Sequence, residues 1–401
     1  VRFIRLAAPL SVLAAACGLL ASPGDYTSPD EPDSSTQTGG DAQQPLSDSP
    51  PPSDNYVPPG SAGILLVVAG QRDPLSAADD PAWTNDVWSG VLDADGHVIR
   101  WDALPAAPLP GPFDAIGTGN GQLLTLSYAL GIGGGRGDAL SAVAWSPGPN
   151  GGWKANGVGM PGGLDERARA IFGSHVVTVG GVRYIPIDGG TQTVITKEVH
   201  VADIDTTKNE LGTFNDPGVT LVNARSRVGV AIVDDHIVVA GGRAPTPTGF
   251  TGTVETAKVD ETAGTVGAFT AQPNLTSGGT DHRVWSPGVA GGGGFVFVAG
   301  GRLTFAGNPT DVVVSASIGS DGTITNVKNG PSLPMPLRDL GLVVHRSKLY
   351  VIGGQTAANR VDTVYSATIA ADGSVGAWET NNQKLPGARS DLVVVAYGGG
   401  P

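Results

Sequence analysis

Short apolar runs that stop at glycine recur along the chain. Ile64–Gly70 reads ILLVVAG, His175–Gly181 HVVTVGG, His236–Gly242 HIVVAGG, Phe295–Gly301 FVFVAGG and Leu349–Gly354 LYVIGG. Runs this short suit a buried strand better than a helix. A second marker follows each: a glycine five residues ahead of a bulky apolar residue, at Gly96–Trp101, Gly148–Trp153, Gly264–Phe269, Gly322–Val327 and Gly373–Trp378. Asn209 stands in for the glycine before Phe214, and asparagine shares some of glycine's tolerance of positive φ. A turn residue at a fixed distance from an inward anchor predicts a hairpin. A third marker closes the unit: Leu104-Pro105, Met160-Pro161, Leu333-Pro334 and Leu385-Pro386, reduced to Leu221 and Leu275 in two copies. An arginine and a new apolar run come next, as in RSRVGVAIV at Arg225–Val233.

The period is about fifty to sixty residues with four strand-like segments, which is the arithmetic of a propeller blade. The anchors Trp101, Trp153, Phe214, Phe269, Val327 and Trp378 predict six blades. The second is degenerate, because Ser127-Tyr128 in LLTLSY occupies the place of the glycine pair. The glycine-ended strand, the segments Asp86-Val87-Trp88 and Val364-Tyr365, and the following Trp resemble kelch repeats. The expected fold is therefore all-β, a six-bladed kelch-type β-propeller over residues 61–401. The first unit lacks an innermost strand, and the final ARSDLVVVAYGG supplies one. The C-terminal strand is thus expected to join blade one and close the ring, removing exposed edges.

Composition supports short strands and turns: 61 Gly and 31 Pro with 15% charged residues leave little for long helices. The formal charge of −13, without a basic run, argues against nucleic acid as a partner. The single cysteine, Cys17, rules out an intrachain disulfide. It lies at the end of VRFIRLAAPLSVLAAAC, a basic start and an apolar run with the layout of a secretory signal over residues 1–17. Ala14-Ala15-Ala16-Cys17 resembles the bacterial lipoprotein signal motif, which implies lipidation at Cys17. Gly18 rather than Asp after it implies the outer membrane or cell surface, with secretion or a periplasmic location as the alternative. Residues 18–60, rich in Pro, Ser and Asp, read as a disordered tether that cannot bury enough apolar surface to offset chain entropy.

Candidate chemistry is sparse. Gly353-Gly354 is not a phosphate loop, since no G-x-x-x-x-G-K-[ST] and no following helix accompany it. No His or Cys spacing suits a metal, so no cofactor is expected. Blade topology puts Arg72, Arg183, Arg225, Arg243, Arg283, Arg302, Arg338 and Arg389 on one face near the central channel. Guanidinium forks suit carboxylates, so this face is a candidate ligand-binding surface. Asp165, Asp281, Asp339 and Asp391 lie beside these arginines and offer self-neutralisation instead. The blades diverge just past the glycine pairs, at Gln71, Val182, Arg243, Arg302 and Gln355. The function expected is non-enzymatic, a monomeric surface module binding an unidentified protein or anionic glycan. The alternative is a carbohydrate-active enzyme resembling the kelch-type sialic-acid mutarotases. That alternative needs converging acid/base groups, and Glu166, Glu198, Glu255 and Glu379 read as scattered among different loops.

Overall fold

The structure is a computed structural model. It describes residues within 61–398, apart from 73–83, 85, 105–114, 120–123, 133–134, 147–151, 157–163, 189, 209, 246–248, 250, 278–279, 282–283, 285 and 304–307. Between 115 and 156 only the backbone is described. The proposed signal segment, Cys17 and the tether lie outside the described residues.

Five blades follow the repeat. Blade A orders its strands Val393–Tyr397, Gly63–Val68, Val87–Leu92, Val98–Leu104 from the channel outward. Blade B runs Ala168–Phe172, His175–Val179, Val199–Asp205, Glu210–Leu211, and blade C Gly229–Val233, His236–Ala240, Val254–Asp260, with Thr265–Val266 and Thr270–Gln272 outermost. Blade D comprises Gly288–Gly292, Phe295–Ala299, Val313–Ile318 and Ile324–Asn329, and blade E Gly341–His345, Lys348–Ile352, Val364–Thr368 and Glu379–Thr380. All ladders are antiparallel. In chain order, a further four-stranded sheet lies between A and B: Ala115–Gly119, Leu124–Ile132, Gly135–Ser146, Gly152–Asn156. Its edge strand Ala115–Gly119 runs beside the innermost strands of A and B. It departs from the repeat, with middle strands of 9 and 12 residues and two register shifts.

The C-terminal strand does bond to the first, Val68 facing Val393 and Ile64 facing Tyr397, but only within blade A. The expectation of a six-bladed kelch-type propeller closed as a ring is therefore corrected. Among the described residues five blades carry the repeat, the fold is all-β, and no sheet closes on itself by hydrogen bonds. Strands twist, so successive sheets stand face to face and share side chains rather than a ladder.

The core is accordingly a series of layers between blades. Ala168, Ala170, Phe172 and Val177 of blade B meet Ile237, Val239, Ala257 and Phe269 of blade C. Val238 and Val254 of C meet Val296 and Val314 of D, and Phe297 and Val313 of D meet Leu349 and Tyr365 of E. Tyr350 and Ile352 of E meet Leu65, Val67 and Val98 of A. The closing leucines of the repeat, Leu221, Leu275, Leu333 and Leu385, are all buried in these layers.

The glycine pairs stitch the blades. The N–H of the second glycine donates to a carbonyl two residues ahead of the channel-facing rim in the next blade: Gly181 to Arg225, Gly242 to Val284, Gly301 to Leu337 and Gly354 to Arg389, at 2.8–2.9 Å. Gly353 has φ 59, and a Cβ there would lie 2.6 Å from the Arg389 carbonyl oxygen. Only glycine combines that backbone angle with that approach. The residue after the glycine-ended strand takes the next step inward in four blades: Gln71 pairs with Ser390, Val182 with Asp165, Arg243 with Ser226 and Gln355 with Arg338, whereas Arg302 pairs with Pro309.

Candidate functional site at the channel mouth

Each blade enters its innermost strand through one residue in the left-handed region, two positions ahead of the strand: Glu166 (φ 54), Arg227 (φ 47), Ser286 (φ 51), Asp339 (φ 51) and Asp391 (φ 52). A non-glycine residue there costs roughly 1–2 kcal/mol, so five in corresponding places need a compensating structure. Backbone bonds supply it. Arg227 N donates to Glu166 O (3.0 Å), Ser286 N to Arg227 O (3.2 Å), Asp339 N to Ser286 O (3.3 Å) and Asp391 N to Asp339 O (2.9 Å). The five residues form a hydrogen-bonded collar, and all five line one channel of about 790 Å³ whose walls are the innermost strands.

The collar side chains form a charged constellation. Glu166 accepts from Arg227 Nε (2.8 Å) on one oxygen and from Ser226 Oγ (2.9 Å) on the other. Arg338 pairs with the buried Asp339. Ser390 Oγ donates to Asp391 Oδ2 (3.0 Å). Burial works against the charge on Arg227, but Glu166, with Asp391 and Asp339, outweighs it and raises the guanidinium above its ordinary value. Arg302 is shifted the other way, lowered first by burial and then by Arg338 and Arg227, with Asp339 and Asp391 opposing. Three carboxylates and three guanidiniums therefore act on one another across the mouth. Among the described residues, no group of three or more His, Cys, Asp and Glu side chains could hold a metal ion.

The arginines named from the sequence do not form one surface. Arg225 and Arg389 are fully buried. Arg225 Nη2 meets Glu255 Oε1 at 2.6 Å and also donates to Thr253 Oγ1 (2.7 Å), while its Nη1 reaches the carbonyls of Thr253 (3.0 Å) and Gly241 (3.2 Å). Arg389 donates to the Pro386 carbonyl (2.9 Å) and lies 3.6 Å from Asp86. Arg72 pairs with Asp86 and donates to Thr84 (2.9 Å), and Arg183 pairs with Glu198 (2.6 Å). Arg243 is tied to Ser226 through the backbone. Arg302 and Arg338 belong to the mouth. Arg283 lies outside the described residues.

The sequence placed Glu166 among glutamates scattered over different loops, and Asp339 and Asp391 as neutralising partners of the arginines. The usable signal was positional: every collar residue sits in the same slot before the innermost strand, where Glu, Arg, Ser, Asp and Asp replace one another.

No family model matches the chain, and neither does any curated protein. Among solved structures the chain is similar to the structure of YjhT, with a TM-score of 0.56 and 13% identity over 81% of this chain and 99% of that one. At that identity the likeness establishes the fold, a β-propeller. The expected binding module without enzymatic activity is corrected here. Its premise was that no carboxylates converge, yet Glu166, Asp339 and Asp391 meet on one collar. That arrangement removes the ground on which the enzymatic alternative was placed second.

Proposed function

We propose that the channel mouth is the active site of a carbohydrate-active enzyme that opens and recloses the ring of a free sugar, as in the mutarotase alternative. The observation that supports it most is the collar, where Asp391 and Asp339 are adjacent and both act on Arg227 and Arg302. Strained residues gathered at one cavity mark sites more often than scaffolds.

The chemistry asks for a base at the anomeric hydroxyl and stabilisation of the ring oxygen as it leaves. Asp391 takes the anomeric proton. The C–O bond to the ring oxygen breaks as the carbonyl forms, and the departing alkoxide is held by the guanidinium of Arg227, which lines the channel. Water then protonates that oxygen, the carbonyl carbon rotates, and the reverse steps close the ring on the other face. Glu166 holds Arg227 in place from below.

Anomer exchange of aldoses and ketoses, neutral and carboxylated, is measured by NMR saturation transfer with the full chain. Acceleration over the spontaneous rate is expected for at least one sugar, falling about 10²–10⁴-fold in Asp391→Asn. Exchange at the spontaneous rate for every sugar, with a folded protein, overturns the reading.

A further inference from the structure

The carboxylate of Asp391 is held by more than its neighbour. Ser390 is fully buried, and its hydroxyl donates to Asp391 Oδ2 at 3.0 Å. The same hydroxyl accepts from Arg360 Nε at 3.1 Å. Arg360 belongs to blade E, in the turn after its glycine pair, and it is anchored in turn by the side-chain oxygen of Gln71 in blade A. Gln71 is itself in register with Ser390. A hydroxyl has one proton and two lone pairs. With a guanidinium on its oxygen, the Ser390 proton is committed to the carboxylate, and the charge behind it strengthens that bond.

We propose that Arg360 and Ser390 are positioning residues for Asp391, forming a relay in which Arg360 donates to Ser390 and Ser390 to Asp391. This deepens the reading of the channel mouth and rests on Asp391 being its base. The relay spans the seam between the last repeat and the first, so the base is oriented only when the ends of the propeller meet. Ser226, at the same slot as Ser390, donates to Glu166 of the neighbouring blade instead. The two serines therefore each donate to a collar carboxylate, and on the Ser390 side the guanidinium of Arg360 comes from outside the collar. Charged groups near Asp391 include Asp339 of blade E, Arg227 of blade C, and Arg302. The test therefore varies the relay alone and leaves these groups in place.

The Asp391 carboxyl is titrated by ¹³C NMR in the full chain, with its signal assigned by its loss in Asp391→Asn. Ser390→Ala and Arg360→Met are each expected to move its midpoint up by about one pH unit, since both weaken donation to the charged form. Arg360→Lys, which keeps a charged donor, is expected to recover part of the shift. The acid limb of kcat/KM should move in the same direction. An unchanged midpoint in Ser390→Ala and Arg360→Met, with native circular dichroism, overturns the relay. A shifted midpoint in a protein that accelerates no anomer exchange leaves the relay standing and removes the proposed reaction.

Discussion

Replacing Glu255 by leucine tests the internal wiring of blade C. Glu255 and Arg225 are both fully buried, and the pair is 2.6 Å apart. The Glu255 carboxylate also accepts from Val222 N (2.8 Å), Asn223 N (3.0 Å) and Asn223 Nδ2 (3.0 Å). Burial pulls the Arg225 guanidinium below its ordinary pKa, and Glu255 is what opposes that pull. Without the carboxylate, a buried cation and two backbone donors lose their charged partner. Breaking such a pair costs about 3–5 kcal/mol, a large share of a stability of roughly 5–15 kcal/mol. The expected result of urea unfolding is an unfolding free energy lowered by that amount, read as a lower midpoint at native-like slope. The double variant Glu255→Leu with Arg225→Met removes the stranded charge and should recover at least about 1 kcal/mol. Refutation is a single variant within about 1 kcal/mol of the parent, or a double variant no more stable than the single. The consequence reaches the mouth, because Arg225 lies two residues ahead of Arg227 in the collar and its carbonyl receives Gly181 N (2.9 Å).

Other perturbations probe other seams. Gly353→Ala places a Cβ against the Arg389 carbonyl in a left-handed residue and should cost at least about 1–2 kcal/mol in thermal or urea unfolding; a neutral effect would refute the stitching role. Deleting residues 389–401 removes the innermost strand of blade A together with Arg389 and Ser390, and should abolish cooperative unfolding; a cooperative transition in that variant would show that the seam is dispensable. His200 and His345 are both held below the ordinary His pKa, chiefly by burial. Folded protein therefore binds fewer protons than unfolded chain just below pH about 6.5, so stability is constant above that value and falls as pH drops through it. His345→Gln should flatten part of that slope in pH-dependent unfolding, and an unaltered slope would count against the assignment.

The strands were legible because they obey a short rule. An apolar run, a glycine pair, a glycine before a bulky anchor and a buried leucine each report one contact between neighbouring residues or blades. Residues 115–156 broke that rule at Ser127-Tyr128, and their longer strands show what the missing glycine pair permits. The arginines misled for a different reason. Topology assigns a face, but whether a guanidinium at that face enters the core or the channel depends on the partner it meets. Arg225 meets Glu255, thirty residues later, and turns inward. The collar was hidden because its regularity is in φ and in backbone bonds, while the shared slot mixes carboxylates with an arginine and a serine.

That independence has an evolutionary consequence. The bonds that hold the collar run from amide to carbonyl and make no use of what the five side chains are. These backbone bonds survive exchange of a side chain, whereas the Glu166 carboxylate adds side-chain bonds to Ser226 and Arg227 of the next blade. The mouth thus rests on a backbone frame separable from the side chains it presents, and substitutions that spare the Glu166 bonds to Ser226 and Arg227 can change specificity without losing that frame.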